Sequence, residues 1–212
     1  MDIKGSDFRE RLTAAVNKAA ADLLMKVHDE QIYAFSLFTS GEEEFQYVCA
    51  SANTEEGLLE RARAYAEERP EYVGDIGAKK LRWSAPDWKY HDFSPDLQSL
   101  ELPAGSGRDR DSRLYGNYIY ALRKLEEKKI FGGITPRVIL LVTCGDIGEE
   151  FFLEGLKRLN PPGASKTDFP ATENILLVKV TRNGKLYKDD CGEPFEEAFL
   201  KAKIARRHFA PP

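Results

Sequence analysis

The residues best equipped for chemistry lie in one stretch of ten, residues 82–91, which we call the tryptophan segment. It holds two tryptophans, a tyrosine, a histidine and three charged side chains. Aromatic rings with polar tips offer large, rigid contact area, and an arginine can hold a carboxylate or stack on a ring. We therefore predict a binding site built from six residues of this segment: Arg82, Trp83, Asp87, Trp88, Tyr90 and His91.

The composition of the tryptophan segment also fits a structural role. Large aromatic side chains usually bury area in a core before they recognise a ligand, and Asp87 has the chemistry to hold a local turn. In this interpretation Trp83 and Trp88 pack beneath the long polar loop that follows them. The exposure of the two indoles discriminates between the interpretations, because two exposed rings around a concave surface favour recognition.

A second candidate is the tripeptide Cys144-Gly145-Asp146, which follows the most apolar predicted strand. Open α/β sheets bind ligands where such strands end. A thiolate at a helix N-terminus has a lowered pKa, and Asp146 has the chemistry of a cation ligand or a base. A tight turn in which Asp146 caps the next helix explains the same residues. With no histidine nearby in sequence to act as a partner base, we predict Asp146 as a binding residue only.

Motifs with a defined mechanism are missing from the sequence. There is no glycine pattern of a dinucleotide or phosphate loop, no HExxH, no GxSxG and no EF-hand loop. The three histidines lie in different predicted elements, and the three cysteines include no CxxC pair. We therefore predict no catalytic residue, no metal site and no cofactor, which favours a non-enzymatic binding protein.

The alternative is an enzyme that processes a small molecule or a nucleotide. Its pocket would combine both candidate regions and would be lined by Arg82, Trp83, Trp88, His91, Cys144 and Asp146. This hypothesis requires the six side chains to converge on one cleft.

The charge of the chain narrows the choice of partner. Its formal net charge of −4, with acidic clusters at 42–44, 149–150 and 189–193, gives nucleic acid no general attraction and mildly favours a basic protein. Such clusters are more often solvated turns. No apolar run approaches the roughly 20 residues that cross a bilayer, and the N-terminus has no signal-peptide pattern. We expect a soluble, cytoplasmic protein with no membrane or nucleic-acid partner, and the sequence leaves its oligomeric state open.

The elements that must position these residues alternate between helical and strand patterns. The predicted order is a helix over 7–29, strands over 31–39 and 45–50, a helix over 55–68, a short strand over 81–83, a loop at about 92–112, a helix over 112–129, a strand over 136–143, a helix over 147–159, strands over 174–180 and 185–187, and a helix over 195–207. Asn183-Gly184 predicts the hairpin turn of the last two strands.

The apolar spacing predicts which faces are buried. The first helix carries one apolar stripe formed by Phe8, Leu12, Ala15, Val16, Ala19 and Leu23. The helix over 55–68 is expected to turn Leu58, Leu59, Ala62 and Ala66 inward. Together these patterns predict a single α+β domain over residues 1–212, with a central mixed, largely antiparallel sheet of about five to six strands and helices packed against it.

Several of these segments also occur together in a known family. They are Tyr33-Ala-Phe-Ser-Leu, Arg82-Trp83-Ser84, Asp87-Trp88-Lys89-Tyr90, Lys128-Lys129-Ile130-Phe131-Gly132, the strand ending in Cys144-Gly145-Asp146, and Leu159-Asn160-Pro161. Over about Phe8 to Pro161 the chain resembles the bacterial domain of unknown function 4303, and the tryptophan segment is the most specific part of the resemblance. Families of this kind lie near contact-dependent toxin systems. The resemblance therefore implies an immunity-like protein that binds and neutralises a toxin, and it implies no catalytic residue.

Overall fold

The computed structural model describes residues 3–40, 44–132, 138–144, 155–156, 158–160, 179–182 and 185–188. The chain divides into two compact units, Met1–Asn160 and Pro161–Pro212. The single domain expected from the sequence stays a prediction.

The described elements of the first unit are five α-helices and four strands. In chain order they are α1 (Ile3–Lys26), β1 (Ile32–Ser40), β2 (Tyr47–Thr54), α2 (Glu55–Glu68), α3 (Asp75–Leu81), β3 (Tyr90–His91), α4 (Pro95–Gln98), α5 (Arg108–Glu127) and β4 (Ile139–Cys144), with 3-10 turns at Pro70–Tyr72 and Ala85–Asp87. In the second unit, β5 (Lys179–Arg182) and β6 (Lys185–Lys188) form an antiparallel pair. The antiparallel pairing predicted at this place is thereby confirmed, and its predicted turn, Asn183-Gly184, lies outside the described residues.

The four strands of the first unit form one mixed sheet in the order β3-β2-β1-β4. β1 pairs antiparallel with β2, β2 pairs antiparallel with β3, and β1 pairs parallel with β4. The α+β class is confirmed, but the expected five to six largely antiparallel strands are not what the described residues show. The difference has a physical reason: β4 returns to β1 only after four helices, and such a crossover produces a parallel pair.

Helices α1 and α5 cover one face of this sheet. The apolar stripe predicted for the first helix is buried along its whole length, and in α5 Leu114, Tyr118, Ala121, Leu122 and Leu125 are at most 1% exposed. Both stripes meet Phe35, Leu37, Leu140 and Val142 in one continuous cluster. Each buried side chain of this size contributes about 1.5–3 kcal/mol to folding, so this layer is the main core of the unit.

Several predicted elements and boundaries are wrong. The strand expected over 81–83 is the end of α3, whose last residue Leu81 is buried. Helix α5 begins at Arg108 and not at 112, and α4 lies inside the segment predicted as a loop. In each case a tertiary contact fixes structure that the local pattern of residues does not indicate.

Some expectations fall outside the described residues. Gly155, Leu156, Arg158 and Leu159 are helical, in agreement with the helix predicted over 147–159. The remainder of that helix, the start of the strand over 174–180 and the helix over 195–207 lie outside the described ranges. None of the described helices is both long and apolar enough to pass through a bilayer.

Candidate functional site

The tryptophan segment connects α3 to β3 and packs where β1 begins and β2 ends. Trp88 is 2% exposed, and its indole N–H donates to the carbonyl of Arg82 at 3.0 Å. Trp83 is half-buried. Both rings meet Tyr33 edge to face, with centroid distances of 5.6 Å for Trp83 and 6.3 Å for Trp88. The burial of Trp88 favours the packing interpretation for this indole.

Arg82 links the end of α3 to the start of α2. Its guanidinium donates two parallel hydrogen bonds to the carboxylate of Glu55, at 2.8 and 2.7 Å. The same guanidinium lies 4.7 Å from the centroid of the Tyr33 ring, whose hydroxyl donates to the Arg82 carbonyl at 2.7 Å. Burial raises the pKa of Tyr33 far above its usual range. The predicted carboxylate partner of Arg82 thus lies within the protein itself.

Asp87 holds the middle of α2 against the tryptophan segment. Its carboxylate accepts hydrogen bonds from the hydroxyls of Tyr65 and Ser84, and its backbone carbonyl accepts one from Nε of Arg61 at 2.9 Å. The hydrogen bond to Asp87, together with burial, raises the pKa of Tyr65. Of the two roles predicted for Asp87, ligand binding and holding a local turn, these contacts favour the structural one.

Tyr90 belongs to a network centred on Glu30. One carboxylate oxygen of Glu30 accepts from the Tyr90 hydroxyl at 2.7 Å and from Lys89 at 3.0 Å, and the other accepts from Thr54 at 2.5 Å. Lys89 also pairs with Glu60 at 2.8 Å. Burial acts to raise the pKa of Glu30, but the donors around it hold that pKa below its usual value. Burial and the bond to Glu30 raise the pKa of Tyr90 to about 12.

His91 lies on β3 directly opposite Ser51 of β2. Its Nδ1 is 2.7 Å from the Ser51 hydroxyl, and its ring meets Phe38 edge to face at 5.2 Å. Burial lowers the pKa of His91, and it outweighs the opposite effect of Asp92 and Asp87. The imidazole is therefore neutral at pH 7, and it helps to fasten β3 to the sheet.

In the described part of the chain, Cys144 of the second candidate region does not lie beside the tryptophan segment. Cys144 ends β4 at one edge of the sheet, and His91 lies on β3 at the other edge. Three strand spacings of about 4.8 Å separate these edges, a distance of about 14 Å. Asp146 lies outside the described residues. Within the described ranges, no three His, Cys, Asp or Glu side chains are grouped so that they could hold a metal ion.

The sequence prediction missed an apolar groove between α2 and residues 72–75. The groove encloses about 450 Å³ and is lined by Leu59, Ala62, Arg63, Ala66, Glu67, Tyr72, Val73, Gly74 and Asp75. Leu59 is 50% exposed and Val73 is 61% exposed, and Ile76 on α3 is 58% exposed. The prediction that Leu59 points inward is therefore wrong.

The signal for this groove is present in the sequence. Leu58 and Leu59 are adjacent, and adjacent residues point about 100° apart on a helix. Only one of them can face the sheet: Leu58 is 1% exposed, and Leu59 is the one left on the outer surface. Two apolar directions on a single helix indicate two contact surfaces.

The walls of the groove are held by tight packing. The rings of Tyr65 and Tyr72 lie 5.2 Å apart, and the ammonium of Lys80 lies 5.0 Å from the Tyr72 ring. Gly77 allows α3 to approach residue 72, because a Cβ at this position would lie 2.1 Å from the Tyr72 carbonyl oxygen. These contacts hold Tyr72 against α2 and α3, so both walls of the groove are positioned by packing within the protein.

These features define a mixed α+β protein in which a tryptophan-rich segment ties two helices to a four-stranded sheet. The model of the family described as Domain of unknown function (DUF4303) matches residues 12–161, a range that includes the whole tryptophan segment. The chain belongs to the DUF4303 family, which confirms the resemblance noted in its sequence. No curated protein and no solved structure matches the chain.

Proposed function

We propose that this protein is a non-enzymatic binding protein that receives a protein partner in the groove between α2 and residues 72–75. The observation that supports this proposal is the exposure of two large apolar side chains, Leu59 and Val73, in the lining of one groove, with Ile76 exposed on the adjoining α3. Apolar residues that are exposed together commonly mark interaction sites.

The tryptophan segment supports the same function by positioning α2. Three contacts attach the segment along this helix: Arg82 to Glu55, Lys89 to Glu60, and Asp87 to Tyr65. A surface that is already ordered loses less conformational freedom when it binds. In this proposal Arg82, Lys89 and Asp87 therefore act on the partner indirectly, through the helix that they hold in place. Tyr90 acts through Glu30, which also accepts a hydrogen bond from Thr54 at the start of α2.

The resemblance implies a more specific form of this function. In that form the protein is cytoplasmic and immunity-like, and its partner is a toxin whose gene lies beside its own. The apolar groove would then cover a surface that the toxin needs for its activity.

The proposal is tested by exchanging one exposed leucine. The wild-type chain, Leu59→Gln and the control Met25→Gln are each used to capture the products of neighbouring genes, and binding is then measured with the purified partner. Met25 is 63% exposed on α1, far from α2 in sequence. Loss of the Leu59 contact should weaken binding about tenfold, because burial of a half-exposed leucine contributes about 1–1.5 kcal/mol. Equal binding by Leu59→Gln and the wild type would overturn the proposal.

A further inference from the structure

The outer edge of α2 carries a row of acidic side chains beside the groove. At 100° per residue, Glu56, Glu60 and Glu67 fall within about 40° of one another around the helix axis. All three are exposed, and the base of α2 nearest to them is Arg63, which lies about 20° outside this arc on the side of the groove. Glu67 and Arg63 also line the groove.

These carboxylates are available to a partner. Glu60 pairs with Lys89, yet its side chain remains 64% exposed. Glu56 accepts a hydrogen bond from the backbone N–H of Gln31, and no residue of the described part of the chain forms an ion pair with Glu67. The facing wall contributes Asp75, so the residues that line the groove include two acids, Glu67 and Asp75, and one base, Arg63.

We propose that the occupant of the groove is an amphipathic helix of a partner protein, with apolar residues seated in the groove and Lys or Arg residues along its flank. This inference rests on the proposed function and names the chemistry of the partner at the same site. A helix laid along α2 repeats its side chains with the same period as Glu56, Glu60 and Glu67, so one basic flank can meet all three. The acids then select the partner, and the groove supplies the contact area.

Two synthetic peptides test the charge preference with the full-length chain. Both are amphipathic helices with the same leucine stripe, and they differ only in a flank of lysines or of glutamates. Fluorescence anisotropy should show the lysine peptide binding about tenfold more tightly at low salt. The difference should shrink at about 1 M salt, where charges are screened within about 3 Å. Equal affinities, tighter binding of the glutamate peptide, or no binding of either peptide would overturn the inference.

Two charge reversals on α2 locate the preference. Glu67→Lys removes an acid that lines the groove and should weaken the preference for the lysine peptide. Glu68→Lys makes the same change of charge about 100° further around the helix and away from the groove, and it should leave the preference intact. An equal effect of both variants would mean that the peptide senses only net charge, which would contradict the inference.

The outcomes separate this inference from the proposed function. Suppose that Leu59→Gln weakens binding of the natural partner but the wild-type chain binds both peptides equally. The groove then binds a partner, and the proposal of a basic flank is wrong. If Leu59→Gln has no effect on any partner, the proposed function itself fails. Sedimentation equilibrium of the chain alone tests whether the groove binds a second copy of the chain. A dimer that dissociates in the Leu59→Gln variant would assign the groove to this second copy and overturn the inference.

Discussion

At the scale of single residues, the tryptophan segment directs its polar atoms to partners inside the protein. The sequence predicted which residues have unusual chemistry, because composition is local. It did not predict their partners, since Glu30 and Glu55 are brought to Tyr90 and Arg82 by the fold across 60 and 27 positions. The identity of a site residue can thus be read from sequence, whereas its role depends on what the fold places beside it.

Replacing Arg82 by lysine should destabilise the protein by about 1–2 kcal/mol, as measured by urea unfolding. Lysine keeps the charge but loses the planar fork that binds Glu55 and stacks on Tyr33. Both partners are about a third exposed, which limits the effect. Arg63→Lys, at an exposed position of α2, is the control and should change stability by less than about 0.5 kcal/mol. A double-mutant cycle with Glu55→Gln that gives no coupling would contradict the assignment of the pair.

The pH dependence of stability should report on His91. Its pKa in the folded protein lies below the ordinary value of 6.5, so the unfolded chain binds more protons as the pH falls past this value. Its contribution is therefore complete above about pH 6.5 and is lost as the medium becomes more acidic. Glu30 shows the same sign, but only below about pH 4.5. Urea unfolding at about pH 7.5 and 5.5 should show that the free energy of unfolding falls less for His91→Gln than for the wild type. An equal fall in both proteins would refute the role of His91.

At the scale of elements, helix positions were predictable and strand directions were not. The apolar stripes of α1 and α5 can be recognised in the sequence, because apolar residues on a buried helix face repeat every three to four positions. The parallel pairing of β1 with β4 depends on how the chain crosses over between them, and no residue within either strand encodes that path. The outward position of Leu59 escaped prediction for a different reason, because α2 has two apolar faces.

The N-terminus of α2 should depend on Thr54. Its hydroxyl accepts from the N–H of Gly57 at 2.9 Å and donates to Glu30. Thr54→Ala removes both bonds and should cost about 1–2 kcal/mol of unfolding free energy, whereas Thr54→Ser keeps the hydroxyl and should retain most of the stability. Thermal unfolding compares the three proteins, and equal melting temperatures for the alanine and serine variants would contradict this function of the hydroxyl.

The early start of α5 should depend on a buried ion pair. Asp111 accepts from the N–H of Phe45 at 3.2 Å, and Arg110 donates to the Phe45 carbonyl at 2.8 Å and to Asp111 at 3.3 Å. Asp111→Ala leaves Arg110 buried without its carboxylate and should cost about 3–5 kcal/mol. The control for loss of an acid from the first helical turn is Asp109→Ala, because Asp109 lies two positions earlier and is exposed. Similar unfolding free energies for the two variants would show that burial of the pair is not what fixes this helix start.

At the scale of the whole molecule, the sequence predicted the α+β class and the family but not the surface that we assign to binding. Buried faces follow from apolar periodicity, because the hydrophobic effect acts on every residue of a face. The groove arises between α2 and residues 72–75. The adjacent pair Leu58 and Leu59 indicates a second contact surface on α2, but nothing in the sequence of residues 72–75 shows that they form its other wall.

Amide hydrogen exchange of the protein with and without its bound partner is the most direct measurement of the central claim. Docking in the groove should slow exchange in α2 and in residues 72–76, because these amides lose access to solvent and their elements open less often. At the same partner concentration, protection in these segments should be weaker for Leu59→Gln, because this variant binds about tenfold less tightly. Protection confined to other parts of the chain, with α2 and residues 72–76 unchanged, would contradict the account.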